Sequence, residues 1–163
     1  MFLLASCEMK QEEETFNLRK AEEKEISALV EQIHKNLAAA YNGAIANTDS
    51  LIDEYYDAEA NYVTPWGWTE PMDSTKSRLH RAATMVKDYN YRIENLHVKS
   101  YGDGAYAYFI FRQNYLVGGR LLEEYLPTVW ILEKRGSVWK IVHVHRSTDF
   151  ETMKQYISMQ RKR

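Results

Sequence analysis

Ala105-Tyr106-Ala107-Tyr108-Phe109-Ile110-Phe111-Arg112-Gln113-Asn114-Tyr115-Leu116-Val117 runs into Gly118-Gly119 and then into a return from Arg120 to Glu133. Aromatic and branched side chains suit a pleated, half-buried surface, and a glycine pair supplies the backbone freedom of a hairpin tip. The stretch therefore reads as two long antiparallel strands. Pro127 cannot donate a ladder hydrogen bond, so it predicts a bulge or an edge in the return strand. Lys134-Arg135-Gly136-Ser137 turns the chain into a last strand, Val138 to Ser147. On the other side, Tyr101-Gly102-Asp103-Gly104 is a turn, preceded by β-rich sequence from Tyr89 to Ser100. Apolar parity changes there between Ile93 and Leu96, which predicts a bulge near Glu94-Asn95.

Upstream of these strands the period lengthens. Ile26, Leu29, Val30, Ile33, Leu37, Tyr41, Ala44 and Ile45 recur in steps of three and four, placing one apolar stripe on a long helix. Asn47-Thr48-Asp49-Ser50 stops it and caps a short second helix through about Tyr56. A short strand around Ala60–Thr64 leads to the loop Pro65-Trp66-Gly67-Trp68-Thr69-Glu70-Pro71. Asp73-Ser74 can cap a third helix whose inner face is Leu79, Ala82, Ala83 and Val86. Helices first, then an antiparallel meander, is an α+β class with the helices on one concave face of the sheet. The expected organisation is a leader and polar tether over 1–18, one domain over 19–150, and a polar tail over 151–163.

Composition narrows the function classes. Of 163 residues, 45% are hydrophobic and 27% charged, which are globular proportions. With 21 basic against 23 acidic residues the net charge is −2, and the single basic cluster is the tail Arg161-Lys162-Arg163. No basic face of the kind that binds phosphate backbones emerges, so a nucleic-acid partner is disfavoured. The 12 Tyr and 4 Trp can line a cavity that is apolar yet hydrogen-bonding, or can simply fill a core.

The lone cysteine, Cys7, excludes an internal disulfide and a cysteine-based zinc site. It closes Leu3-Leu4-Ala5-Ser6-Cys7 and is followed by the polar run Glu8 to Glu14, which reads as a flexible linker. Leu-Ala-Ser-Cys resembles a bacterial lipobox, where a signal peptide is cut before a cysteine that then carries lipid. Met1 to Ser6 is shorter than an ordinary signal-peptide core of about 7–15 residues, so the expectation includes a start upstream of Met1. Display on the cell envelope through lipid on Cys7 is the first reading of location, and a cytoplasmic protein with a short apolar leader is the alternative. Membrane contact would come through that lipid alone.

Trp139-Lys140-Ile141-Val142-His143-Val144-His145-Arg146-Ser147 closely resembles the final strand of the association (hub) domain of calmodulin-dependent protein kinase II. That domain belongs to the NTF2-like, or SnoaL-like, superfamily. The likeness extends back through the hairpin Asp103 to Gly119 and, in element order, to Lys24, covering roughly residues 20–148. It implies a cone of long helices on a curved antiparallel sheet, a deep pocket between sheet and long helix, and commonly a homodimer. It also implies a pocket arginine at Arg146. Two further pocket arginines of the family fall at Phe111 and Trp130. One arginine among aromatic side chains suits a small apolar or aromatic molecule, with or without one acidic group. The candidate ligand-binding residues are Arg146, Tyr41, Tyr55, Trp66, Phe111 and Trp130.

Activity is less legible. The superfamily holds isomerases, cyclases, hydrolases and non-catalytic assembly domains, so fold alone assigns no chemistry. Three readings stand: a ligand-binding domain, a small enzyme using a pocket carboxylate and a tyrosine, and an oligomerisation module. For the enzyme, Asp53, Asp57 and Glu59 are candidate bases and Tyr41, Tyr55 and Tyr108 candidate hydroxyl donors. Trp66 and Trp68 flank Gly67 in a loop that can cover the pocket mouth. No phosphate-binding glycine loop or nucleophile elbow occurs. His143 and His145 share a strand face, but no third ligand accompanies them, so neither metal nor cofactor is expected. On a regular strand they also oppose Arg146, and a bulge near the end would alter that arrangement.

Overall fold

The computed structural model describes residues 3–45 and 47–160, with side chains over 13–45 and 47–158. In chain order the elements are α1 (Leu3–Tyr41), α2 (Asp49–Tyr55), β1 (Tyr56–Val63), β2 (Thr69–Pro71), α3 (Met72–Met85), β3 (Val86–Tyr101), β4 (Gly104–Val117), β5 (Arg120–Arg135), β6 (Val138–Arg146) and α4 (Phe150–Gln160). The six strands form one sheet in the order β2-β1-β6-β5-β4-β3, with β1 parallel to β6 and the other pairs antiparallel. The class is α+β, as the order of patterns required.

Helices occupy the described parts of both terminal segments. The run Glu8 to Glu14 lies inside α1, which is continuous from Leu3. Nothing between Leu3 and Tyr41 breaks a helix: the stretch has no Gly or Pro, and Glu, Lys, Gln and Met all propagate one. Cys7 falls where side chains are not described. The polar segment after Asp149 folds as helix α4, with the Asp149 carboxylate accepting from the Thr152 N–H at 2.7 Å as an N-cap. Arg161 to Arg163 lie outside the described residues.

Helix α1 ends sooner than its apolar stripe. Gly43 has φ +79°, the Gly43 N–H donates to the Ala40 carbonyl and the Ala44 N–H to the Ala39 carbonyl, a Schellman-type stop. Asn42 then fastens the helix end to β3, exchanging hydrogen bonds of 2.9 and 3.0 Å with the Tyr89 backbone. The hairpin β4–β5 keeps regular register from Gly104↔Glu133 to Val117↔Arg120, and the β3 bulge falls between Glu94 and His97, with Asn95 at φ +54°.

The bulge in β6 matters most for the site. Ile131 pairs with His143 and Leu132 with Ile141, so Val142 is an extra residue. Before it, Trp139 and Ile141 are buried; after it, inward parity passes to Val144 and Arg146. His143 is half-buried and His145 exposed on the opposite side. The bulge therefore lets an aromatic anchor and a downstream arginine share the concave face, which a period of two forbids. Pro127 sits where the β5–β6 ladder ends: its carbonyl accepts from the Ser147 N–H at 3.0 Å, beside the last paired residues Thr128 and Arg146.

Candidate functional site

The concave face of the sheet, α1 and α3 enclose a cavity of about 280 Å³, lined among others by Tyr41, Tyr62, Arg78, Tyr115, Glu124 and Arg146. Behind it lies a chamber of about 40 Å³, reached past Tyr41, Tyr62, Arg78 and Arg146, which line both spaces. His34, Thr75 and Trp130 line the inner chamber. The mouth is framed by the loop between β1 and β2. There the Thr64 N–H donates to the Trp68 carbonyl at 2.9 Å, and Gly67 turns the chain at φ +89°. Trp66 meets Tyr156 of α4 edge to face at 4.5 Å, joining the two sides of the mouth.

Arg146 projects inward from the end of β6, its guanidinium 4.9 Å from the Phe111 ring centroid and 5.6 Å from that of Tyr62. Among the described residues it forms no ion pair, and its Nε is buried without a hydrogen-bond partner. A second guanidinium, Arg78 of α3, lies 4.7 Å from the centroid of the same Tyr62 ring. Its Nε pairs with Glu70 at 2.9 Å, while its Nη2 is buried and unpartnered. The cavity thus holds two cations with unsatisfied N–H groups.

The inner chamber adds further unpartnered polar atoms: Thr75 Oγ1, Trp130 Nε1 and His34 Nε2. His34 is 1% exposed, with Trp130 stacked on it at 5.2 Å and Phe111 at 4.4 Å. Its Nδ1 donates to the Val30 carbonyl at 2.8 Å, so Nε2 keeps the lone pair. Burial, with the nearby Arg146 charge adding to it, holds the imidazole neutral, its pKa down to about 3.

Two carboxyl residues line the cavity, Glu70, which pairs with Arg78, and Glu124. Glu124 of β5 is 7% exposed and accepts from Gln113 Nε2 and the Tyr156 hydroxyl. Burial pushes it above the ordinary carboxylate range, against the pull of the Gln113 and Tyr115 hydrogen bonds and the Arg146 and Arg78 charges. Desolvation also raises Tyr41, to about 12, so its hydroxyl stays protonated.

The structure brings together most of the residues singled out in the sequence. Arg146 and Tyr41 line the cavity, Trp66 its mouth and Trp130 its inner chamber, and Phe111 is the shelf under Arg146. Tyr55 lines neither space; it packs in the core with its hydroxyl accepting from Asn36 at 3.0 Å. The candidate bases lie elsewhere. Asp53 pairs with Lys76 at 2.5 Å and Asp57 with Arg135 at 3.2 Å, while Glu59 is exposed. Asp57 is held below its ordinary value, first by the Glu59 N–H and then by Arg135. Tyr108 is 38% exposed on the convex side of the sheet. Arg78 and Glu124 are among the site residues that escaped the sequence reading. Arg78 stands four before Ala82 on the inner helical stripe, and Glu124 shares period-two parity with Leu122 and Leu126.

Comparison with known proteins agrees with this architecture. The model of the SnoaL-like domain matches residues 29–158. The association domain of calcium/calmodulin-dependent kinase II from C. elegans superposes with TM-score 0.62 at 17% identity, covering 81% of this chain and 99% of that one. An NTF2-like superfamily protein from Salmonella enterica serovar Typhimurium gives TM-score 0.66 at 16% identity, covering 77% and 89% respectively. A putative association domain of the same kinase type from Exiguobacterium sibiricum gives TM-score 0.66 at 11% identity, covering 79% and 94%. At these identities the likeness shows the fold alone. No curated protein matches the chain. The extent of the domain match places the chain in the SnoaL-like domain family.

Proposed function

We propose that this chain is a small-molecule-binding domain whose cavity takes an amphipathic, aryl-bearing molecule with one anionic group. The observation that carries the reading is the pair Arg78 and Arg146, each with a buried nitrogen that no group among the described residues satisfies. Leaving such a donor unpaired costs about 1–3 kcal/mol, and an oxyanion placed between the two guanidiniums recovers it through charge-assisted bonds. The aromatic walls Tyr41, Tyr62, Trp66 and Tyr115 offer the ring a surface. Phenylacetate and phenylacetamide differ only in that charge. Titrated against the fluorescence of the mouth tryptophans, the acid is expected to bind at least about tenfold more tightly, the equivalent of one charged hydrogen bond. Equal affinity of the two overturns the reading.

A second reading concerns assembly. Several structural relatives are association domains, and the convex face of this sheet carries the exposed apolar side chains Tyr108 and Ile131 beside His143 and His145. We propose that a second copy covers this face as a homodimer. Light scattering at micromolar concentration tests it, and a monomer there excludes it. Lipid on Cys7, with display on the cell envelope, is proposed from the Leu-Ala-Ser-Cys motif. Labelling cells with a fatty-acid analogue tests it. Incorporation that a Cys7→Ser change leaves intact contradicts it.

A further inference from the structure

The inner chamber is built the same way on each of its walls. On α1, His34 and Tyr41 are seven residues apart and share a face; on α3, Thr75 and Arg78 are three apart and do the same. On the sheet, Trp130 follows Thr128 on the concave side, and Thr128 is the partner of Arg146 across β5 and β6. Tyr41, Arg78 and Arg146 line both spaces, whereas His34, Thr75 and Trp130 line the chamber alone. These three are fully buried, and each carries a polar atom without a partner among the described residues. The roles of those atoms differ. With Nδ1 committed to the Val30 carbonyl, His34 Nε2 is an acceptor, while Trp130 Nε1 only donates and the Thr75 hydroxyl is free to donate. A neutral group with one proton to give and two lone pairs to offer satisfies all three at once. That group is a hydroxyl. A carboxylate has no proton for His34, an ammonium has no lone pair for Trp130, and a methyl group satisfies none.

Resting on the binding reading above, we infer that the inner chamber is a hydroxyl-recognising subsite, and that the ligands are aryl acids with a hydroxyl on the carbon that bears the carboxylate. A carboxylate placed between Arg78 and Arg146 stands at the passage between the two spaces. Its neighbouring carbon is the first that can send a substituent through, while the ring stays on the side of Trp66. A water-sized group takes about 10–15 Å³ of such space. A chamber of about 40 Å³ therefore admits a hydroxyl and refuses a second ring. A buried site built to hydrogen-bond a hydroxyl discriminates strongly against the analogue that lacks one, because its own polar atoms are then left unpaired. The three partners come from α1, α3 and β5, so the packing of separate elements fixes their positions and only one hand of the ligand meets all of them.

Mandelate is the probe, set against phenylacetate, which lacks the hydroxyl, and 2-phenylpropanoate, which replaces it with a methyl group of similar size. Each hand of mandelate is titrated separately into the full chain by tryptophan fluorescence, and the ¹⁵N resonance of His34 Nε2 reports whether that atom gains a donor. One hand of mandelate is expected to bind at least about tenfold more tightly than phenylacetate, the equivalent of one buried hydrogen bond, with no such gain for 2-phenylpropanoate. The His34 resonance is expected to move upfield with mandelate and to stay in place with phenylacetate. Thr75→Val keeps the outline of the side chain and removes its hydroxyl. It is expected to cut the ratio of mandelate to phenylacetate affinity at least about threefold. His34→Asn keeps a donor for the Val30 carbonyl and removes the acceptor, which abolishes the preference; if that variant does not fold, the valine variant and the resonance decide. Phenylacetate binding with no preference for either hand of mandelate overturns the subsite and leaves the binding reading standing. A gain that 2-phenylpropanoate matches, an unmoved His34 resonance, or a ratio unchanged in Thr75→Val does the same. No binding by any of the three acids overturns both.

Discussion

The Arg146 guanidinium lies 4.9 Å from the centroid of the Phe111 ring, a fully buried side chain, and its Nε has no hydrogen-bond partner among the described residues. A cation desolvated against an aromatic face and left short of an acceptor favours a ligand over stability. Arg146→Met keeps the unbranched stem and removes the charge. We expect thermal stability to stay level or rise by up to about 1 kcal/mol, while affinity for phenylacetate falls about 10–100-fold. Parallel melting and titration check both halves; a variant that loses stability but keeps affinity contradicts the assignment.

His34 makes folding sensitive to acid. Its folded pKa, about 3, lies below the ordinary 6.5, so the unfolded chain binds the proton first. The stabilisation is fully present above 6.5 and is lost as pH falls through the window toward 3. By pH 4 this one group is expected to cost roughly 3 kcal/mol, seen as a steep fall in urea midpoint that His34→Asn flattens.

Glu124 acts in the opposite direction. Burial raises its folded pKa, so its stabilisation is present below the ordinary carboxylate value and lost as pH rises through the raised one. Glu124→Gln is therefore expected to be relatively more stable than the parent at pH 8 than at pH 4. Urea unfolding at the two values measures the difference, and a constant difference would show the carboxyl to be unperturbed.

Helix α4 finishes the sheet where β6 stops. Gln155 accepts from the Glu123 N–H at 3.1 Å and donates to the Glu123 carbonyl at 3.0 Å, and Thr152 Oγ1 accepts from the Tyr125 N–H at 3.2 Å. These side chains replace the missing strand. Gln155→Ala is expected to cost about 1 kcal/mol, since the exposed pair loses two modest bonds. Amide exchange at Glu123 and Tyr125 would quicken before the rest of the sheet.

Much of this was readable from pattern. The hairpin at Gly118-Gly119, the bulge beside Asn95 and the inner stripe of α1 follow from period and turn chemistry. What the one-dimensional pattern hides is parity after an irregularity. Val142 has no distinctive chemistry, yet its extra residue decides whether Arg146 or the histidines face the cavity. Arg78 and Glu124 obey their local periods, but a charged side chain on an inner position reads as a surface residue until the fold supplies its neighbours. Tyr55 misled for the converse reason: it is buried and hydroxyl-bearing, but at the end of α2 its hydroxyl meets Asn36 and lines neither space.

A crystal structure with 4-bromophenylacetate tests the central claim most directly, because the bromine locates the ring and the carboxylate direction follows. The account predicts the carboxylate about 3 Å from Arg146 Nε and Arg78 Nη2, with the ring toward Trp66 and Tyr156. Bromine outside the cavity, or a carboxylate turned away from both guanidiniums, would contradict it.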